Sequence, residues 1–461
     1  MTTPHYSDLE CSAGSQVRGI APDASDPQHH AWVVNLNNGN VNLNNQNNQF
    51  WVRPVRSARR ASSEFQGEKG DEQVSFRDLF NAWEHARRNK VPSANQLAFE
   101  SNLIDNLFEL QEQLNSATWK PKPTTCFVAQ RPKARQIHAP DFGDRVVHHW
   151  LVPQLEAQYE PSFIHDSYAN RRGRGSHAAV RRLRDFVRQV DSGQGGGWYL
   201  QLDVSNFFNS IHRPTLYGFL KERMKRRGMP MIVRRAVHAL LRHSIQQQGV
   251  IYRATPDAQA RVPAHKRLEN AAPGCGLPIG NLSSQFFANV YLDRLDQFVK
   301  HKLKASRYLR YVDDFVLVHK DREQLAVWLG EIETFLHDEL RLALKPDIRL
   351  RPLSAGIDFL GYVVYPTHTR VRRRVIAHAT EALNAWGARH AKAGRVTATP
   401  GQFRAVDAAW ASYQGHFRHA NSHRLNMRLH KQFPWLEAAT SRTFHISAEG
   451  REVSFAYRSG T

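Results

Sequence analysis

Two adjacent carboxylates, Asp313 and Asp314, lie in R-Y-L-R-Y-V-D-D-F-V-L-V, residues 307–318, between runs that read as β-strands. Tyr311-Val312 and Phe315-Val316-Leu317-Val318 are aromatic or aliphatic and suit a pleated, half-buried surface. Two acids inside such a hairpin are costly without a compensating charge, and a divalent cation supplies one. Alone, the stretch also fits a tight Asp-Asp turn on a solvated hairpin edge. A third acid, Asp203, closes the apolar run W-Y-L-Q-L-D, 110 residues before Asp313 and just ahead of Phe207 and Phe208. Nucleotidyl transfer by two metal ions needs carboxylates from separate strands converging on one point. One Mg²⁺ then activates a 3′ hydroxyl, and both stabilise the pentavalent phosphate. Asp203 with Asp313 and Asp314 meets that requirement.

The chain has room for the elements such a site needs. Its 461 residues, 41% hydrophobic, suffice for two or three domains. No apolar run is long enough to cross a bilayer, so no membrane partner is expected. A net charge of +21 and a pI of about 10.2 imply a polyanion-binding surface, most simply for nucleic acid. Charge alone does not separate an enzyme from a nucleic-acid-binding scaffold. Cys11, Cys126 and Cys275 are scattered without zinc spacing, which suits a reducing cytoplasm, and no signal peptide is visible.

Going along the chain, Phe76, Leu79, Phe80 and Trp83 recur at helical spacing, as do Leu103, Leu107, Leu110 and Leu114. Ser93 reads as an N-cap for the second helical stretch, and Trp119-Lys120-Pro121-Lys122-Pro123 breaks it. Residues 127–140, F-V-A-Q-R-P-K-A-R-Q-I-H-A-P, read as two strands joined by a basic turn. Arg131, Lys133 and Arg135 there suit a triphosphate, or simply a solvated hairpin. His148 and His149 read as packing residues. Residues 165–177, H-D-S-Y-A-N-R-R-G-R-G-S-H, put basic residues and glycines before a basic amphipathic helix, fitting a template backbone or a plain helix-leading loop. A helix and a strand are expected over 322–344, a hairpin at I-D-F-L-G-Y, residues 357–362, and basic helices from 371 to 435.

The acids and their order resemble motifs A and C of reverse transcriptases, whose C motif reads Y-x-D-D, as Tyr311 to Asp314 do. The resemblance covers roughly residues 75–435 and implies an α+β right-hand polymerase with two Mg²⁺, or Mn²⁺ as a substitute. The expected parts are an Asn-rich, disordered N-terminal segment over 1–70, N-terminal helices and fingers over 71–200, a palm over 201–365, a helical basic thumb over 366–435 and a tail over 436–461 that is short and strand-like from about 440. The implied partners are template RNA, a primer or cDNA strand and dNTPs. The implied metal set is Asp203, Val204, Asp313 and Asp314. Arg135 and Lys133 would bind triphosphate. Phe208, five positions after Asp203, stands where the family places the aromatic that excludes a 2′ hydroxyl. Lys345 matches a lysine that protonates the leaving pyrophosphate. Arg172 and Arg174 match a template-contacting block, and Tyr311, Leu360 and Gly361 would border primer and template.

Residues 274–292, G-C-G-L-P-I-G-N-L-S-S-Q-F-F-A-N-V-Y-L, resemble motif B, with Ile279, Gly280 and Gln285 beside the nascent pair. Most reverse transcriptases carry glutamine where Ile279 stands. The I-G-N-L-x-S-Q form resembles the enzymes of diversity-generating retroelements, and an apolar side chain there should loosen base discrimination. Residues 35–48 hold nine asparagines in fourteen positions, a composition poor in strand and helix formers. With Trp32 before and Phe50-Trp51 after, the stretch resembles the variable segment of proteins such elements diversify. Residues 30–56 then read as a translated template repeat, and a small basic accessory protein is the implied partner. A retron, group II intron or phage-defence enzyme would keep the chemistry and change the role. A non-catalytic nucleic-acid-binding scaffold would lose the chemistry.

Overall fold

The computed structural model describes the backbone of residues 17–23, 26–35 and 41–45. It describes backbone and side chains for 73–130, 133–191, 196–243, 245, 249–440 and 453–457. Arg131 and most of the tail beyond 440 therefore lie outside the described residues. Strands β1 (Val17–Asp23), β2 (Asp26–Asn35) and β3 (Val41–Asn45) form an antiparallel meander. Regular structure was not expected from the asparagine-rich composition; pairing satisfies backbone groups whatever the side-chain propensity.

Helices Phe76–Arg87, Ala94–Glu100 and Leu103–Asn115 open the main body. Ser75 caps the first in a capping box with Asp78, and the Ser93 side chain accepts from the Gln96 N–H. Strands β4 (Thr124–Ala129) and β5 (Arg135–Ala139) pair antiparallel as the basic hairpin, and β7 (Val250–Tyr252) adds to β4 in parallel. Helix Phe142–Tyr159 follows, with His148 buried and His149 half-buried in its packing.

The central sheet is antiparallel, in order β10 (Arg349–Pro352), β6 (Trp198–Asp203), β9 (Asp314–His319), β8 (Tyr308–Tyr311). Alternation along β6 and β9 divides their side chains between two cores. Leu200, Leu202, Phe315 and Leu317 pack with helices Leu282–Gln297 and Arg322–Leu340. Tyr199, Val316 and Val318 pack with helix Ser176–Asp191 and with Phe359 and Tyr362. The strand expected before Lys345 is only a single bridge, Val204 to Leu344, because β10 takes the edge beside β6.

Strands β11 (Ile357–Phe359), β12 (Tyr362–Val364) and β13 (Thr369–Val371) make a small sheet leading to helices Arg373–His390, Pro400–Phe417, His423–Gln432 and Trp435–Thr440. Residues 371–435 were expected to be all helix. They also hold β14 (Ala391–Lys392) and β15 (Arg395–Ala398), and in the tail, which reads as strand-like from about 440, β16 (Val453–Ala456) pairs with β15. Val396 and Ala398 alternate inward, which buries one face of β15 against the helical core.

Candidate active site

Register brings the acids together. In the β6–β9 pair Asp203 stands directly opposite Asp314, so both project from one face of the sheet. Asp313 lies in the Val312-Asp313 turn joining β8 to β9. Val312 has φ 57°, a left-handed conformation costing a β-branched residue about 1–3 kcal/mol. The Val204 N–H donates to the Asp313 carbonyl at 3.3 Å, tying this turn to the end of β6.

Burial first, then the neighbouring Asp203 carboxylate, pushes Asp313 up to about 6. Asp314 is pushed to about 7 by burial, against a Gln201 hydrogen bond, with Asp203 and Asp313 adding repulsion. The Gln201 amide donates to Asp314 Oδ1 at 3.2 Å and to the Asp358 carbonyl at 3.0 Å. Lys345 Nζ donates to Asp203 Oδ2, and the Lys345 N–H donates to the Asp203 carbonyl at 2.8 Å. Asp203 Oδ1 is buried without a hydrogen-bond partner.

The three carboxylates crowd one another, and one of their oxygens is unsatisfied; carboxylate oxygens are the hard donors a divalent cation takes. Val204 can add only its carbonyl. The bridge beside it uses the Ser205 N–H to Ala343 and the Lys345 N–H to Asp203, leaving that carbonyl out. Among the described residues no group of three or more His, Cys, Asp or Glu is gathered as a ready metal cage. Lys345 holds Asp203 Oδ2 and Gln201 holds Asp314 Oδ1, while Asp203 Oδ1 stays free of any hydrogen bond.

Motifs A and B are tied by backbone. The Leu277 N–H donates to the Phe208 carbonyl at 2.8 Å and the Gly276 N–H to the Ile211 carbonyl at 2.9 Å. Phe207 is buried and Phe208 half-buried, 5.4 Å apart between ring centroids. The β4–β5 hairpin joins them: the His138 N–H donates to the Ile279 carbonyl at 2.8 Å. Gly280 has φ 125°, and a Cβ there would stand 3.0 Å from the His138 oxygen and from Ile137 Cγ2. Its glycine thus serves this close approach as well as the backbone angle. Ile279 is half-buried, and Gln285 is exposed one turn into its helix.

Lys133 and Arg135 are exposed at the end of the hairpin, and neither forms an ion pair among the described residues. Arg172 is exposed, while Arg174 reaches His165 at 3.0 Å and lies over the Tyr168 ring. Leu360 and Gly361, φ 50° and 89°, form the two-residue turn between β11 and β12. A Cβ on Gly361 would lie 3.0 Å from the His416 ring, so the glycine also has a packing reason within the chain. Tyr311 is half-buried opposite Asp314.

Sequence reasoning passed over Gln201 and a buried network centred on Arg310 and Asp296. A cue was available for Gln201 and Arg310, each a polar residue inside an otherwise apolar or aromatic run, while Asp296 stands among other polar residues.

A four-stranded antiparallel sheet presenting acids from two adjoining strands, flanked by a basic hairpin and a terminal helical region, is the palm of a right-hand polymerase. The chain belongs to the reverse transcriptase (RNA-dependent DNA polymerase) family, whose sequence model matches residues 120–364, just over half of it. It is 22% identical over 315 residues to the group II intron-encoded protein LtrA of Lactococcus lactis, covering 58% of this chain and 50% of that one. It is also 22% identical over 320 residues to protein YkfC of Escherichia coli, covering 62% of this chain and 76% of that protein. The chain thus spans about half the length of LtrA. A telomerase structure from Candida albicans with a fragment of telomeric RNA matches at 11% identity and a TM-score of 0.34, over 68% of this chain and 67% of that one. No helix among the described residues is long and apolar enough to cross a membrane.

Proposed function

We propose that this chain copies RNA into DNA by two-metal nucleotidyl transfer. The observation that carries the reading is the register of Asp203 against Asp314, with Asp313 in the adjoining turn. Asp203, Asp313, Asp314 and the Val204 carbonyl would hold Mg²⁺, or Mn²⁺ in its place. Cations bound there would supply a lowered pKa for the primer 3′ hydroxyl and charge to offset that on the phosphates. Arg135 and Lys133 draw in the triphosphate, Phe208 lies under the sugar, and Lys345 gives a proton to the departing pyrophosphate. Leu360, Gly361 and Tyr311 flank the primer, and Arg172 and Arg174 face the template backbone. Primer extension on a defined RNA template with Mg²⁺ tests this, with Asp313→Ala as control. Extension by the parent and none by the variant is expected; equal extension by both would sink it.

The role we infer is mutagenic copying of a template-repeat RNA in a diversity-generating retroelement, in the cytoplasm and with a small basic accessory protein. It is supported by Ile279 within I-G-N-L-S-S-Q and by the asparagine-rich run. The asparagine codons should be AAC or AAT and recur in a near-identical repeat differing at adenines. Sequenced cDNA should carry errors concentrated opposite template adenine. The names of the relatives favour a second reading, an intron-type enzyme, for which accurate cDNA and an absent repeat are the signature.

A further inference from the structure

Away from the three acids, helices Arg213–Arg226 and Met231–Arg242 and the end of Leu103–Asn115 enclose an open cleft of about 510 Å³. Residues 213–243 carry nine lysines and arginines against the single acid Glu222. Three of these are committed internally: Arg223 donates to the Gln158 carbonyl, Arg213 to the Leu241 carbonyl and Arg234 to the Met224 carbonyl. Lys120, Lys221, Lys225, Arg235, Arg242 and His238 are exposed along the cleft, and no acid lines it among the described residues. Like charges crowded this way repel unless a polyanion sits among them. The floor is apolar, with Met224, Ile232 and Ala236 buried beneath the charges. At its side the Tyr217 and His238 rings lie 5.1 Å apart.

We infer that this cleft binds single-stranded RNA, namely unpaired template outside the stretch being copied. Basic side chains that follow a phosphate backbone, beside flat rings on which bases stack, are what an unpaired strand requires. A duplex hides its base faces and would use only the charges. RNA rather than DNA rests on the proposed template; the charge and ring arrangement does not. The surface supplies no catalytic residue. It would keep a long template attached while the copied stretch moves through the palm.

The test measures binding without dNTPs, so it stands whether or not the chain polymerises. Full-length protein is titrated with a labelled short RNA–DNA template-primer duplex. The same duplex is then given a 20-nucleotide unpaired, uridine-rich template extension at either end. In the parent one extension should tighten binding about tenfold at 100 mM KCl, with a steeper salt dependence. In Lys221→Glu/Lys225→Glu/Arg235→Glu/Arg242→Glu that gain should disappear, while the short duplex binds as before. The salt slope should shrink by about 0.7 for each phosphate that is no longer neutralised. The same four positions changed to Gln should give an intermediate loss, and this variant decides the matter if the charge reversal fails to fold. An extension that tightens binding equally in parent and variants overturns the proposal and leaves the surface to an acidic protein partner.

Discussion

Arg310 grips Asp296 with two hydrogen bonds, Nε to Oδ1 at 2.8 Å and Nη2 to Oδ2 at 2.6 Å, both side chains essentially excluded from solvent. The same guanidinium donates to the Val312 carbonyl at 2.8 Å, and the Tyr308 hydroxyl donates to Asp296 Oδ1 at 2.6 Å. The Val312-Asp313 turn is therefore anchored from beneath, by a residue of β8 and a residue near the end of helix Leu282–Gln297.

Removing one partner leaves the other charged and buried. Asp296→Asn should destabilise the protein by about 3–5 kcal/mol, measured by urea unfolding. Arg310→Met with Asp296→Leu should recover much of that stability without recovering polymerisation, because Val312 loses its anchor. Full activity in the double variant would show the turn to be self-supporting.

Asp313→Ala and Asp203→Asn should each lower primer extension by about 10³-fold or more, since metal-borne charge stabilisation contributes several kcal/mol. Folding should persist, and Asp313→Ala should be the more stable because a crowded, buried carboxyl is gone. Thermal melting beside single-turnover extension reads both.

Gly280→Ala should cost roughly 1–3 kcal/mol or loosen the contact with the β4–β5 hairpin, since a Cβ there is strained at φ 125° and crowds the His138 carbonyl. A raised KM for dNTP with a smaller change in kcat is the expected signature. An unaltered KM would mean the hairpin gives way freely.

Acid should weaken the join between helix Ser176–Asp191 with strand β12 and the C-terminal helices. The His177 and His419 rings stack at 3.9 Å, His416 stacks on Tyr362 at 4.2 Å, and Arg181 and Arg418 add positive charge nearby. Burial chiefly lowers all three histidines, so the folded form disfavours their protonation. Their contribution is fully present above the ordinary value near 6.5 and is lost as pH falls through the lowered folded values. Asp144, raised to about 7 by burial, acts oppositely, so its contribution fades as pH rises toward 7. His177→Gln with His419→Gln should therefore flatten the loss of melting temperature between pH 7.5 and 5.5. An unchanged pH profile would place the acid sensitivity elsewhere.

Much was legible where chemistry and local geometry coincide. Asp203, Asp313 and Asp314 announce themselves because acids are expensive in apolar strands, and the basic hairpin and the turn at Leu360-Gly361 follow from local pattern. Lys345 was legible as a candidate, but its contact with Asp203 spans 142 residues and depends on a single bridge. Gln201 and Arg310 carried a visible cue, polarity in apolar runs, without any indication of their partners, and Asp296 carried none. β16 was unreadable as a sheet partner because its mate, β15, lies in a stretch that reads as helical.

The sequence by itself determined which side chains could bind metal and which strands would carry them, since residue type and a period of two are local properties. Tertiary structure alone decided that Asp203 faces Asp314, that Arg310 reaches Val312 through a pair with Asp296, and that six basic residues line one cleft. Those outcomes depend on strand register and helix packing, which are set by the burial of whole faces against one another rather than by neighbours along the chain.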